Sequence, residues 1–154
     1  MEALIFIGIQ GAGKSTFYKE RFFQSHVRIN LDMLRTRRRE RLLLAACLEA
    51  RQPFVVDNTN VTRGARANYI EAARGGGFRV IGYYFRADVR AALRRNKLRE
   101  GRERVPDKGV LGTLKRLEVP QLVEGFDELF YVWTSEENHF IVEPWGDGGP
   151  RSLP

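Results

Sequence analysis

The stretch Gly8-Ile9-Gln10-Gly11-Ala12-Gly13-Lys14-Ser15, continued by Thr16, decides how the chain is read. It fits the spacing G-x-x-x-x-G-K-S/T in full. Before it stands the apolar run Leu4-Ile5-Phe6-Ile7, the pattern of a strand buried on both faces. After it, Lys14 to about Phe23 reads as a helix. A glycine-rich turn from a buried strand into a helix suits phosphate. Gly11 and Gly13 let backbone N–H groups turn inward where a Cβ would obstruct them, and the helix N-terminus adds partial positive charge. On this reading Gly8, Gly11, Ala12, Gly13, Lys14, Ser15 and Thr16 hold a nucleoside triphosphate such as ATP. Lys14 reaches the β- and γ-phosphates, and the Ser15 hydroxyl ligates magnesium (Mg2+).

Outward from this turn the chain alternates. Strands are expected at Val27 to Asn30, Phe54 to Asp57, Val80 to Phe85, Leu129 to Trp133 and His139 to Val142. A long helix is expected from about Asp32 to Arg51, closed by Pro53. Further helices are expected over residues 63–74, ended by Gly75-Gly76-Gly77, over 87–99, and over roughly 108–117. This alternation predicts an α/β fold with a parallel sheet flanked by helices. Residues 1–143 read as one domain. Residues 144–154, with three prolines and three glycines, read as a loop or disordered tail.

The stretch Arg28-Ile29-Asn30-Leu31-Asp32-Met33-Leu34-Arg35 lies where the second strand meets its helix. Taken alone, Asp32 favours a helix start and Arg35 pairs with it at helical spacing. In an open α/β sheet, however, ligands bind beyond the carboxyl ends of the strands. Asn30 is then expected near Gly8, and Asp32 and Arg35 beside the γ-phosphate. There Asp32 suits a general base for an acceptor hydroxyl, and Arg35 a clamp on phosphate. Asp57 has two readings. It is a Walker-B carboxylate that holds magnesium with Ser15 or through water, or it opens an Asp/Asn turn with Asn58-Thr59-Asn60.

The net charge of +7 is concentrated. Arg35 to Arg41 carries +4 and Arg86 to Arg104 carries +5, leaving −2 for everything else. Such clustering suits an anionic partner, nucleic acid or nucleotide, or else two solvated helical faces. The group Arg94, Arg95, Asn96, Lys97 and Arg99, with Arg102 and Arg104 before Val105-Pro106, suits a lid over the triphosphate. No apolar run approaches the ~20 residues of a membrane span. The start lacks the basic segment of a secretory signal. The lone Cys47 sits in an apolar run and forms no intramolecular disulfide. A cytoplasmic location without membrane association is the expectation.

Together the motifs GxxGxGKST, N-x-D-x-x-R, V-D-N-T-N, R-N-x-x-R and V-P resemble the kinase domain of polynucleotide 5′-kinases, shared by phage, bacterial and animal end-healing enzymes. The resemblance runs from about Leu4 to Val132. The segments DNTNVTRGARANYIEAARGGGF and LEVPQLVEGFDELFYV are especially similar to the animal domains. It implies an adenylate-kinase-like P-loop fold and a role in nucleic acid repair. It implies magnesium-dependent transfer of the ATP γ-phosphate to a 5′-hydroxyl end of DNA or RNA. By motif, Lys14, Asp32, Arg35 and Arg99 become catalytic, Arg95 and Asn96 join the nucleotide-binding group, and Ser15 and Asp57 the metal group. Two positions depart from the pattern: Leu31, where arginine is usual, and Gln10, where proline is common. No phosphatase or ligase motif accompanies the domain, so a solitary kinase module is expected. A small-molecule or sugar-nucleotide kinase, or a non-catalytic ATP-binding switch, are the alternatives.

Overall fold

The computed structural model describes residues 1–99, 101, 105–146 and 149. Six strands form one sheet: β1 (Glu2–Ile7), β2 (Val27–Ile29), β3 (Phe54–Asp57), β4 (Arg79–Phe85), β5 (Glu128–Thr134) and β6 (Phe140–Pro144). Their order is β2-β3-β1-β4-β5-β6, with every pair parallel except β5–β6. β1 lies between β3 and β4, which is why Ala3 to Ile7 are all buried. Its side chains alternate between two cores. Ala3, Ile5 and Ile7 join one with Val56 and Ile70, while Leu4 and Phe6 join the other with Phe17 and Phe85.

The helices are α1 (Lys14–Arg21), α2 (Leu31–Leu34), α3 (Arg37–Ala50), α4 (Arg63–Gly75), α5 (Val89–Lys97) and α6 (Asp107–Arg116). α1 contributes Phe17 to the second core, and α4 contributes Tyr69, Ile70 and Ala73 to the first. The fold is the expected α/β architecture with a mostly parallel sheet between helices. Among the described residues no helix is long and apolar enough to cross a membrane.

Three expectations are corrected. The long helix from Asp32 to Arg51 is two helices. Arg35 leaves α2 with φ 75°, and the Thr36 side chain accepts the Arg39 N–H at 3.1 Å, capping α3. Asp32 and Arg35 therefore do not share one helical face. Second, β3 stands between β1 and β2, so Asp57 rather than Asn30 ends beside the loop after β1. Third, β6 runs through Pro144, which pairs with Phe130, and the Trp145 N–H donates to the Leu129 carbonyl at 2.9 Å. Pro144, expected in the tail, is the last residue of the sheet's edge strand.

Candidate functional site

The loop after β1 is held by what surrounds it. The Gly8 N–H donates to the Thr59 carbonyl at 2.9 Å, tying the loop to the end of β3. Gly11 has φ 78°, and a Cβ there would meet the Ala92 carbonyl oxygen at 2.3 Å, so α5 packs directly on the loop. Gly13 has φ 99° and caps α1. Lys14 is buried, its Nζ donating to the carbonyls of Gly8 at 2.9 Å and Ile9 at 2.8 Å. Burial holds its pKa down to about 8. The carboxylates of Asp57 and Asp32 work against that shift and the guanidinium of Arg99 works with it. Thr16 is exposed on α1.

Ser15 and Asp57 meet directly. Ser15 Oγ donates to Asp57 Oδ2 at 2.9 Å, and Asp57 is only 1% exposed. A third residue completes the group: Arg28 Nε donates to Asp57 Oδ2 at 2.8 Å, and its Nη2 to Ser15 Oγ at 2.8 Å. A hydroxyl and a carboxylate are the hard oxygen donors that magnesium takes. Among the described residues no cluster of three or more metal-ligating side chains exists. Two such donors suit a magnesium ion that keeps waters and takes further ligands from substrate phosphates.

Asp32 is placed by its neighbours. Asn30 Nδ2 donates to the Asp57 carbonyl at 2.6 Å, and Asn30 Oδ1 accepts the Met33 N–H at 2.9 Å. The Leu31 N–H donates to Asn58 Oδ1 at 2.9 Å. Asn58 in turn donates to Glu40, which also accepts from Tyr69 Oη at 2.8 Å and Arg37 Nη1 at 2.9 Å. α2 is thus fastened at its first turn to the end of β3, and α3 and α4 are tied to the same point.

These elements surround a cavity of about 860 Å³ that Lys14, Ser15, Asp32, Asp57 and Arg99 line together. Arg37, Arg41 and Arg116 line it as well, with Leu44, Val61 and Tyr69. Arg35, expected beside the γ-phosphate, is exposed and does not line it; Arg37 and Arg41 do. A second cavity, about 590 Å³, lies behind Ala12 between α5 and the β5–β6 turn, with Arg94, Arg95, Trp133 and Thr134 among its walls. Arg95 joins the two sides, donating to the Gly11 carbonyl and to Thr134 Oγ1, both at 3.3 Å. Asn96 is buried and uses its amide on the Val105 backbone, joining the end of α5 to the residue before Pro106. Arg102 and Arg104 lie outside the described residues.

Sequence reasoning missed Arg28, Glu40, Tyr69 and Arg116. A signal existed for Arg28, a charge between Val27 and Ile29 in an expected strand. The Glu40–Tyr69 bond joins residues 29 apart and leaves no local pattern.

A model of the AAA domain family matches residues 4–120. Among solved structures, Kti12 of Chaetomium thermophilum in complex with ADP-AlF3 is similar at 16% identity and TM-score 0.65, covering 88% of this chain and 92% of that one. A chain of the AvrRxo1-ORF1:-ORF2 structure with ATP is similar at 12% identity and TM-score 0.69, over 92% of this chain but 57% of that one. A sugar kinase from Janibacter sp. HTCC2649 is similar at 17% identity and TM-score 0.55, over 85% of each chain.

Proposed function

The chain belongs to the AAA domain family and has a nucleotide-binding, kinase-like P-loop fold, and we propose that it transfers the ATP γ-phosphate to the 5′-hydroxyl end of DNA or RNA. One observation carries this reading: Asp32, Lys14 and Arg99 share a cavity that Arg37, Arg41 and Arg116 also line.

In the proposed reaction the nucleoside of ATP occupies the cavity behind Ala12, and its phosphates cross the loop of Gly11 and Gly13. Asp32 accepts the proton of the 5′-hydroxyl as its oxygen bonds to the γ-phosphorus. The bond from that phosphorus to the bridging oxygen breaks, and ADP leaves with the electron pair. Lys14 and Arg99 face the charge that develops. Ser15 and Asp57 would hold magnesium, which when bound neutralises the β- and γ-oxygens. Arg41 and Arg116 would meet the phosphates that follow the acceptor end.

The apolar residues Leu44 and Val61 that line the same cavity support a second reading, a small alcohol in place of a polynucleotide. Transfer of label from γ-labelled ATP separates the two. The acceptors are 5′-hydroxyl DNA and RNA oligonucleotides, their 5′-phosphorylated counterparts, and free sugars and nucleosides. Label on the 5′-hydroxyl strands alone is the expected result. Label only on small alcohols would overturn the polynucleotide reading.

A further inference from the structure

Arg28 is the least explained charge near the loop. It sits in the three-residue β2 between Val27 and Ile29, with its side chain 24% exposed. Both of its side-chain hydrogen bonds end on the two residues that suit a metal, Ser15 Oγ and Asp57 Oδ2. Asp57 Oδ2 thereby accepts from a hydroxyl and a guanidinium at once. A carboxylate this buried needs a compensating charge, and Arg28 supplies it.

We propose that Arg28 is a resident cation of this site, holding the metal-binding oxygens in the nucleotide-free protein and giving them up only when a divalent ion arrives with ATP. The inference rests on the reading of Ser15 and Asp57 as the magnesium residues. The charges around these oxygens give the direction. Lys14, Arg28 and Arg99 are set against Asp57 and Asp32. A bare dication meets a site that is already positive, and Asp57 is already paired. Magnesium also dehydrates reluctantly and is usually held by one or two carboxylates plus substrate phosphates. The triphosphate reverses the local sign, and the ion it carries then competes with the guanidinium. Arg28 is partly exposed, so its fork has solvent to swing into. Arg28 is in this sense a positioning residue, which keeps the Ser15 hydroxyl and the Asp57 carboxylate together until the nucleotide comes.

Manganese binding followed by electron paramagnetic resonance tests this without turnover. Wild type, Arg28→Gln and Arg28→Lys are titrated with Mn2+ alone and with a non-hydrolysable ATP analogue, and each is first checked by thermal melting. Wild type without nucleotide should bind no Mn2+ below millimolar concentrations. Arg28→Gln should bind it at least tenfold more tightly. Arg28→Lys, which keeps the charge without the fork, should stay near wild type; if Arg28→Gln does not fold, Arg28→Met, which removes the charge and keeps an unbranched stem, takes its place and should show the same tenfold gain. With nucleotide present, half-saturating Mn2+ should fall several-fold in Arg28→Gln. Equal Mn2+ affinity in wild type and Arg28→Gln without nucleotide would overturn the proposal. So would tight binding to nucleotide-free wild type. Absence of any analogue binding to wild type would overturn the nucleotide-site reading itself, and this inference with it.

Discussion

Asn30 and Asp57 are joined across two strands: the Asn30 Nδ2 donates to the Asp57 carbonyl at 2.6 Å while its Oδ1 caps α2 through the Met33 N–H. One side chain thus fixes the turn that carries Asp32 against the strand that carries Asp57. Asn30→Ala removes the cap, worth about 1 kcal/mol, and strands a buried carbonyl. A melting temperature lower by about 2–4 °C per kcal/mol lost is expected. Phosphoryl transfer should fall further than ATP affinity, because Asp32 loses its placement. Asn30→Asp keeps the cap acceptor and loses the donor, so it should recover part of the stability and little of the transfer. Calorimetry and single-turnover rates check both.

Lys14 ties nucleotide affinity to pH. Its pKa is about 8 in the folded chain against an ordinary 10.5, chiefly because it is buried. Between those values the unfolded chain holds more protons, so the nucleotide-free fold gains stability as pH rises from about 8 to 10.5 and carries the full cost below 8. Phosphate binding runs the other way. Lys14 is charged below about pH 8, so ATP affinity should be greatest there and fall as pH passes through 8 toward 10. Isothermal titration from pH 7 to 10 should show proton uptake on binding above pH 8. In Lys14→Met both the affinity and that uptake should be lost.

Gly11→Ala tests the packing of α5 on the loop. The added Cβ meets the Ala92 carbonyl oxygen at 2.3 Å, and the backbone at φ 78° is strained for any L side chain. Lower stability by about 1–3 kcal/mol and weakened ATP binding are expected from a denaturant titration and a binding isotherm. A variant of wild-type stability and affinity would show that α5 moves away freely.

The arginines that line the cavity predict salt dependence. Arg41 and Arg116 make no ion pair among the described residues, so both are available to phosphate. Binding of a 5′-hydroxyl oligonucleotide should weaken steeply as salt rises. Arg41→Ala or Arg116→Ala should each lower the slope of log affinity against log salt by about 1. Fluorescence anisotropy at several salt concentrations measures it.

The phosphate loop and the parallel sheet were legible because their signals are local. The loop from Gly8 to Ser15 is one contiguous pattern, and the run from Leu4 to Ile7 reads as a strand buried on both faces. The break between α2 and α3 was hidden because Leu34, Arg35 and Thr36 look helical in an arginine-rich run. The cap bond from Arg39 N–H to Thr36 becomes visible only in the backbone. For the same reason Arg35 was expected in the cavity, whereas the turn delivers Arg37 and Arg41. Strand order is not written in a strand, so nothing in Val27 to Asn30 reveals that β3 separates it from β1. The bonds of Arg28 to Ser15 and Asp57 span 13 and 29 residues, and only the folded sheet joins them.

Asp32 carries the account, and one comparison tests it most directly. Wild type and Asp32→Ala are given γ-labelled ATP, magnesium and a 5′-hydroxyl oligonucleotide, and ATP affinity is measured on the same preparations. If Asp32 is the base, label appears on the wild-type product and transfer falls roughly 10²–10⁴-fold in Asp32→Ala, with ATP affinity kept within a few-fold. Transfer by Asp32→Ala at the wild-type rate would contradict the assignment of Asp32 as the base.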